Sequence, residues 1–233
     1  MAKIEDIFID LQKNKKKWLQ SKKGSEFEDK FESACKKKGF TREIKEDYKE
    51  ELKKIKEFVL DDLRENKIEN IFNNRPEMVD MFITQPFGSQ NYPDFLVFTK
   101  QYIIPIEIKY SSENATKPMW NGNLPKANGI YIFGSYKKGD VTFFRGIDIL
   151  NNNDRKKLLN FWKQEREHYQ NFKKELQKDV NFENEYGFDV YIRETYTQNK
   201  QINKEAIIDF FANVKKNELE NKVIEFLKGE ENE

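Results

Sequence analysis

Pro93-Asp94-Phe95-Leu96-Val97-Phe98 and Tyr102-Ile103-Ile104-Pro105-Ile106-Glu107-Ile108-Lys109 are two apolar runs separated only by Thr99-Lys100-Gln101. Aromatic and β-branched stretches this short predict strands, and the connection between them has hairpin length. Asp94 lies six residues before the turn centre near Lys100 and Glu107 seven after it, so the hairpin brings two carboxylates to one edge of neighbouring strands. Side chains alternate along a strand, so Glu107 and Lys109 project from one face while Ile106 and Ile108 enter the core on the other. Charges at the end of an apolar strand cost several kcal/mol unless each is paired or binds a metal. The plain alternative is a structural Glu107/Lys109 ion pair.

Beyond the hairpin, Val79–Thr84, Gly129–Gly134 and Val141–Phe144 are further β-rich runs, and Phe188–Arg193 predicts one more strand. Helical spacing dominates elsewhere. It links Ile4, Ile7, Phe8, Leu11, Trp18 and Leu19, then Phe27, Phe31, Ala34 and Cys35 up to Gly39, then Tyr48, Leu52, Ile55, Val59 and Leu63. From Asp154 the same spacing returns with Leu158, Trp162, Tyr169, Phe172 and Leu176, and Ile207, Phe210, Phe211 and Val214 predict a closing helix. The expected class is α/β, a central mixed β-sheet flanked by helices. Residues 1–233 are expected to form a single domain with helical N-terminal and C-terminal additions.

Composition narrows the chemistry. With 37% hydrophobic and 36% charged residues, 20 Phe and 10 Tyr, the chain suits a folded core. No apolar run reaches membrane-span length and no signal segment is evident, so a cytoplasmic protein with no membrane partner is expected. Cys35 sits on an apolar stripe as a small hydrophobe, and His168 is the single histidine, which disfavours Ser/His/Asp, Cys/His and His-rich zinc chemistry. Carboxylates and lysines must carry any catalysis. Net charge is only +1, but residues 109–145 hold six cations against two anions, a surface that would suit phosphates, while residues 217–233 hold six Glu against two Lys.

The acid-x-Lys triplet alone is unspecific, since Glu43-Ile44-Lys45, Glu51-Leu52-Lys53 and Glu65-Asn66-Lys67 repeat it in charged helical stretches. With the strand context and the preceding Tyr92-Pro93-Asp94, however, the region 24–145 resembles the PD-(D/E)xK nuclease superfamily. That resemblance implies a restriction-endonuclease-like core. It also implies Mg²⁺ held by Asp94, Glu107 and the Ile108 carbonyl, with Lys109 positioning or activating the attacking water. It offers Glu28, in Gly24-Ser25-Glu26-Phe27-Glu28, as a further metal ligand. A capping box between Ser25 and Glu28 explains the same residues equally well.

Gly88-Ser89-Gln90 before the motif, and the run from Lys117 to Gly134 after it, look most like type II restriction endonucleases. The implied activity is sequence-specific, Mg²⁺-dependent hydrolysis of double-stranded DNA by a homodimer. Alternatives are a repair or recombination nuclease of the same fold, or a non-catalytic DNA-binding protein. Residues 111–128 predict a loop beside the catalytic strand. There Asn121, Asn123 and Asn128 are candidate base readers, Lys117 and Lys126 candidate phosphate contacts, and Trp120 either a base-stacking wedge or an inward-packed ring. Ser89 and Gln90 complete the candidate DNA contacts.

Overall fold

Apolar side chains at helical spacing close the first layer: Ile4, Ile7, Phe8 and Leu11 are all buried, each worth about 1.5–3 kcal/mol on leaving water. The computed structural model describes residues 3–19, 22–120, 122–212 and 215–229. Helix α1 (Glu5–Lys13), the short α2 (Lys15–Trp18) and α3 (Gly24–Lys37) open the chain. Helix α3 stops before Gly39, whose φ of +95° is a conformation glycine adopts cheaply. Helix α4 (Lys49–Leu60) follows, and among the described residues no helix is long and apolar enough to cross a membrane.

The sheet contains β1 (Thr41–Glu43), β2 (Ile68–Glu69), β3 (Met81–Thr84), β4 (Phe95–Phe98), β5 (Tyr102–Ser111), β6 (Ile130–Ser135) and β7 (Asp140–Arg145). Its order is β1-β3-β4-β5-β6-β7, with β2 also pairing β5. Pairs β1/β3 and β5/β6 are parallel and the others antiparallel, so the chain is α/β with a seven-stranded mixed sheet flanked by helices. The two shortest strands, β1 and β2, carry too few residues for a period-two signal.

Alternation divides the core into two layers. Phe82, Phe95, Val97, Ile104, Ile106, Ile108, Ile130, Ile132 and Phe143 face α1, α3 and the closing helix α7 (Lys216–Lys228). Met81, Ile83, Leu96, Phe98, Ile103, Tyr131, Phe133 and Phe144 face α4, Trp120, Phe210 and Phe211. Strand β5 is the hub: β2 and β4 serve its first half and β6 its second half.

Three sequence expectations need correction. Of the other acid-x-Lys triplets only Glu51-Leu52-Lys53 lies in an α-helix, since Glu43 ends β1 and Glu65–Lys67 is outside any helix. Phe188–Arg193 forms no strand, because the run lies against helix α6 (Asn152–Leu176) and away from the sheet. Tyr169 donates its hydroxyl to the Val190 carbonyl, and Lys173 and Arg166 of α6 pair with Asp189 and Glu194. The closing helix does not include Ile207, Phe210 and Phe211. Asp209 accepts from the N–H groups of Phe211 and Ala212, a local turn that competes with helix, and α7 begins at Lys216. Val214 lies outside the described residues.

Candidate active site

The hairpin register is Phe95↔Ile106, Leu96↔Pro105, Val97↔Ile104 and Phe98↔Ile103. One further step sets Asp94 opposite Glu107. Asp94 is held by both backbone and side chain: its carbonyl accepts from Gln85 N at 2.7 Å, and its Oδ2 accepts from Ile108 N at 2.7 Å. In strand pairing a residue's N–H and C=O address the same neighbour, so the Ile108 carbonyl shares the notch beyond the end of β4 with the Asp94 carboxylate.

Glu107 and Lys109 share one face, as alternation requires, with Lys109 Nζ 2.8 Å from Glu107 Oε1. The other carboxylate oxygen, Glu107 Oε2, is buried without a partner. The Glu107 side chain is only 12% exposed, and its register partner on β6 is Tyr131, a fully enclosed ring. An unpaired carboxylate oxygen removed from water costs free energy unless something else meets it.

Burial pushes the Asp94 carboxyl up to about 7. The neighbouring Glu107 and then Glu28 carboxylates reinforce the rise, and the Ile108 N–H and Lys109 oppose it. Glu28 is raised by its own burial and by Asp29 and Glu107. Three carboxylates therefore act on one another at this sheet edge. The capping-box alternative for Glu28 is not realised: α3 has Lys23 as its N-cap, Ser25 lies inside the helix, and no side chain caps it.

Among the described residues no three His, Cys, Asp or Glu side chains stand close enough to form a ready metal cage. A cage is not what Mg²⁺ requires, because that ion is usually held by one or two carboxylates and keeps several waters. The orphaned Glu107 Oε2 and the mutually repelling, partly buried Asp94 and Glu107 fit a hard divalent cation.

The candidate DNA contacts separate into two groups. Ser89, Gln90 and Asn123 are exposed. Lys126 is buried and pairs with Asp62 at 2.8 Å, so its charge is spent inside the protein and does not face phosphate. Lys117 donates to the Gln198 carbonyl. Trp120 takes the inward-packed alternative: it is 6% exposed, its ring meets Tyr131 edge-on, and its Nε1 donates to Gln198 Oε1 at 3.3 Å. Asn128 is buried at the far end of β5, near Ile103 and Ile104, with both polar atoms of its side-chain amide unpartnered. Asn121 lies outside the described residues.

The positive segment is likewise largely occupied. Lys137 pairs with Glu113, Lys138 with Asp209, and Arg145 stacks on Phe226 near Asp148. Counting charges along the chain included Glu113 but missed Asp209 and Phe226, which lie 71 and 81 residues from Lys138 and Arg145.

Sequence reasoning also missed the aromatic wall behind Glu107. Tyr92 stacks on Tyr131, and Tyr131 on Phe144, with ring centroids 6.1 and 5.9 Å apart. Tyr131 Oη accepts from Lys126 N at 2.7 Å. The signal available was Gly129, where an added Cβ would lie 2.3 Å from Tyr92 Oη. Comparison with protein-family models, curated proteins and solved structures finds no match for this chain.

Proposed function

We propose that this chain is a Mg²⁺-dependent nuclease of the PD-(D/E)xK type, and specifically a type II restriction endonuclease acting on double-stranded DNA. The observation that carries the reading is the juxtaposition of Asp94 and Glu107 on adjoining strands, with Glu107 Oε2 buried and unpartnered and Lys109 on the same face. Asp94, Glu107 and the Ile108 carbonyl would hold the cation, with Glu28 near enough in charge to tune it. Mg²⁺ bound there supplies Lewis-acid stabilisation of the phosphodiester and a more acidic water.

The chain's own residues supply the rest. The Ile108 N–H orients the Asp94 carboxylate. Lys109 Nζ, anchored on Glu107 Oε1, keeps donors to position an in-line water and to neutralise charge gathering on phosphate. The Tyr131 and Tyr92 rings exclude water from the inner side of Glu107, which strengthens every electrostatic contact there. Ser89, Gln90 and Asn123 are the exposed polar residues offered to DNA, and a palindromic target would call for a two-fold homodimer.

The 2.8 Å contact between Lys109 and Glu107 favours a second reading, a non-catalytic DNA-binding protein in which the pair is structural. Incubating a defined plasmid with Mg²⁺ or with EDTA, and sequencing the ends, separates these. Discrete ends with Mg²⁺ alone support the restriction reading, and heterogeneous ends leave a nuclease without site specificity. Intact plasmid under both conditions removes the nuclease assignment.

A further inference from the structure

Among the described residues, the segment 180–191 leaves an unusually dense run of large apolar side chains exposed. Val180, Tyr186, Phe188 and Tyr191 are 79–93% exposed, and Phe182 and Val190 nearly half so. At about 150–250 Å² for each large aromatic, this amounts to on the order of 700 Å², more than a monomer usually leaves in one stretch. It is close to the roughly 800 Å² that each partner contributes to a stable dimer.

The end of this segment runs into Phe188-Asp189-Val190-Tyr191-Ile192-Arg193, strand-forming by composition yet without a strand partner among the described residues. Its two edges are not equivalent. On one, Phe188 N donates to Asn184 Oδ1, Val190 N to Asp189 Oδ1, and Val190 O accepts from Tyr169. On the other, the N–H groups of Asp189, Tyr191 and Arg193 meet no acceptor among the described residues. An open edge of this kind is a template for a second strand.

We infer that residues 189–193 pair antiparallel with the same residues of a second copy, centred on Tyr191. In that register Tyr191 faces its own copy, Val190 faces Ile192, and Asp189 faces Arg193 on both sides of the two-fold axis. Each Asp189 oxygen already takes one donor, from Lys173 or Val190 N, and keeps a second lone pair for the incoming guanidinium. Opposite charges directly across a pair of strands are favourable, and a two-fold axis makes the patch complementary to itself. Charge argues for a second copy over nucleic acid as the occupant, because residues 152–212 hold eleven Lys and Arg against eleven Asp and Glu.

The test is the mass of the full chain by sedimentation or light scattering, without DNA or Mg²⁺. It is run at roughly 100 µM, where even a micromolar Kd is saturated. The wild type is expected at twice 28.0 kDa. Asp189→Arg and Arg193→Asp, each placing like charges across the axis, should run at 28.0 kDa, and an equimolar mixture of the two should recover the doubled mass. Tyr191→Pro, which deletes a central donor, should also run as a monomer, with an unchanged circular dichroism spectrum showing that it folds. A wild-type mass of 28.0 kDa, single variants that remain dimeric, or a mixture that stays monomeric would each overturn the inference. A monomeric wild type would also count against the homodimer that a palindromic target calls for, but since no cleavage is measured none of these outcomes bears on hydrolysis itself.

Discussion

The backbone N–H of Ile108 donates to Asp94 Oδ2 at 2.7 Å across the end of the β4–β5 hairpin. This bond ties the two strands together beyond their last ladder pair, Phe95↔Ile106, and aims the carboxylate at the edge that Glu107 occupies. It stabilises the ionised form, yet burial and the Glu107 and Glu28 carboxylates outweigh it.

One consequence is a pH-dependent stability. The Asp94 carboxyl, ordinarily near 3.8, lies at about 7 in the folded chain, so between those values the unfolded chain ionises first. Stability contributed by the protonated form is therefore full below the lower value, falls across the window, and is lost above about 7. Asp94→Asn, which keeps an acceptor for Ile108, should exceed the metal-free wild type by on the order of 2 kcal/mol at pH 8 and differ little at pH 4. Urea melts at the two pH values decide it, and equal differences at both would contradict the argument.

Binding of Mg²⁺ should release a proton near neutrality, since Asp94 must ionise to become a ligand. Affinity should therefore rise between pH 6 and 8, approaching tenfold per unit at the acid end. Glu28→Gln removes one of the charges that raise Asp94 and should move the midpoint to lower pH. Calorimetry in buffers of differing ionisation enthalpy measures both effects, and a flat profile would mean that Asp94 is no ligand.

Asp94→Ala, Glu107→Ala and Lys109→Ala should each lower cleavage by at least about 10²-fold. Their melting temperatures at pH 8 should not fall by more than a few degrees. A purely structural Glu107–Lys109 pair makes the opposite demand: Glu107→Ala would be heat-labile but active at low temperature. Cleavage and melting measured on one preparation of each variant separate the two cases.

Removing Asn123 should weaken discrimination between a cognate site and a single-base variant, by about 1–3 kcal/mol if it contacts a base. Lys126→Ala should instead act on the fold, because Asp62 would lose a largely buried partner, and stability should drop by roughly 1–3 kcal/mol with the salt dependence of DNA binding unchanged. Melting curves combined with binding at several salt concentrations check the pair. A flattened salt dependence in Lys126→Ala would put that lysine on phosphate after all.

Gly129→Ala should destabilise by about 1–3 kcal/mol, since its Cβ would overlap the Tyr92 hydroxyl. Tyr92 Oη is buried without a partner, so Tyr92→Phe alone should be neutral or stabilising and should rescue part of the Gly129→Ala loss. A double-mutant cycle showing no coupling between the two positions would exclude this packing.

Short-range periodicity alone specifies the α/β class, the five longer strands, the alternation on β5 and the opposition of Asp94 and Glu107. A three-residue connection leaves the hairpin register little freedom, so the last of these needed no long-range information. Partners distant in the chain are set by long-range packing. Lys126 was claimed by Asp62, Lys138 by Asp209 and Lys117 by Gln198, and a cation's availability to DNA depends on such contacts and not on its neighbours in sequence. The same holds for Phe188–Arg193, whose composition specifies a strand but cannot supply the edge it would pair with. A β ladder exists only where a second strand is brought alongside, and in this fold α6 lies there instead.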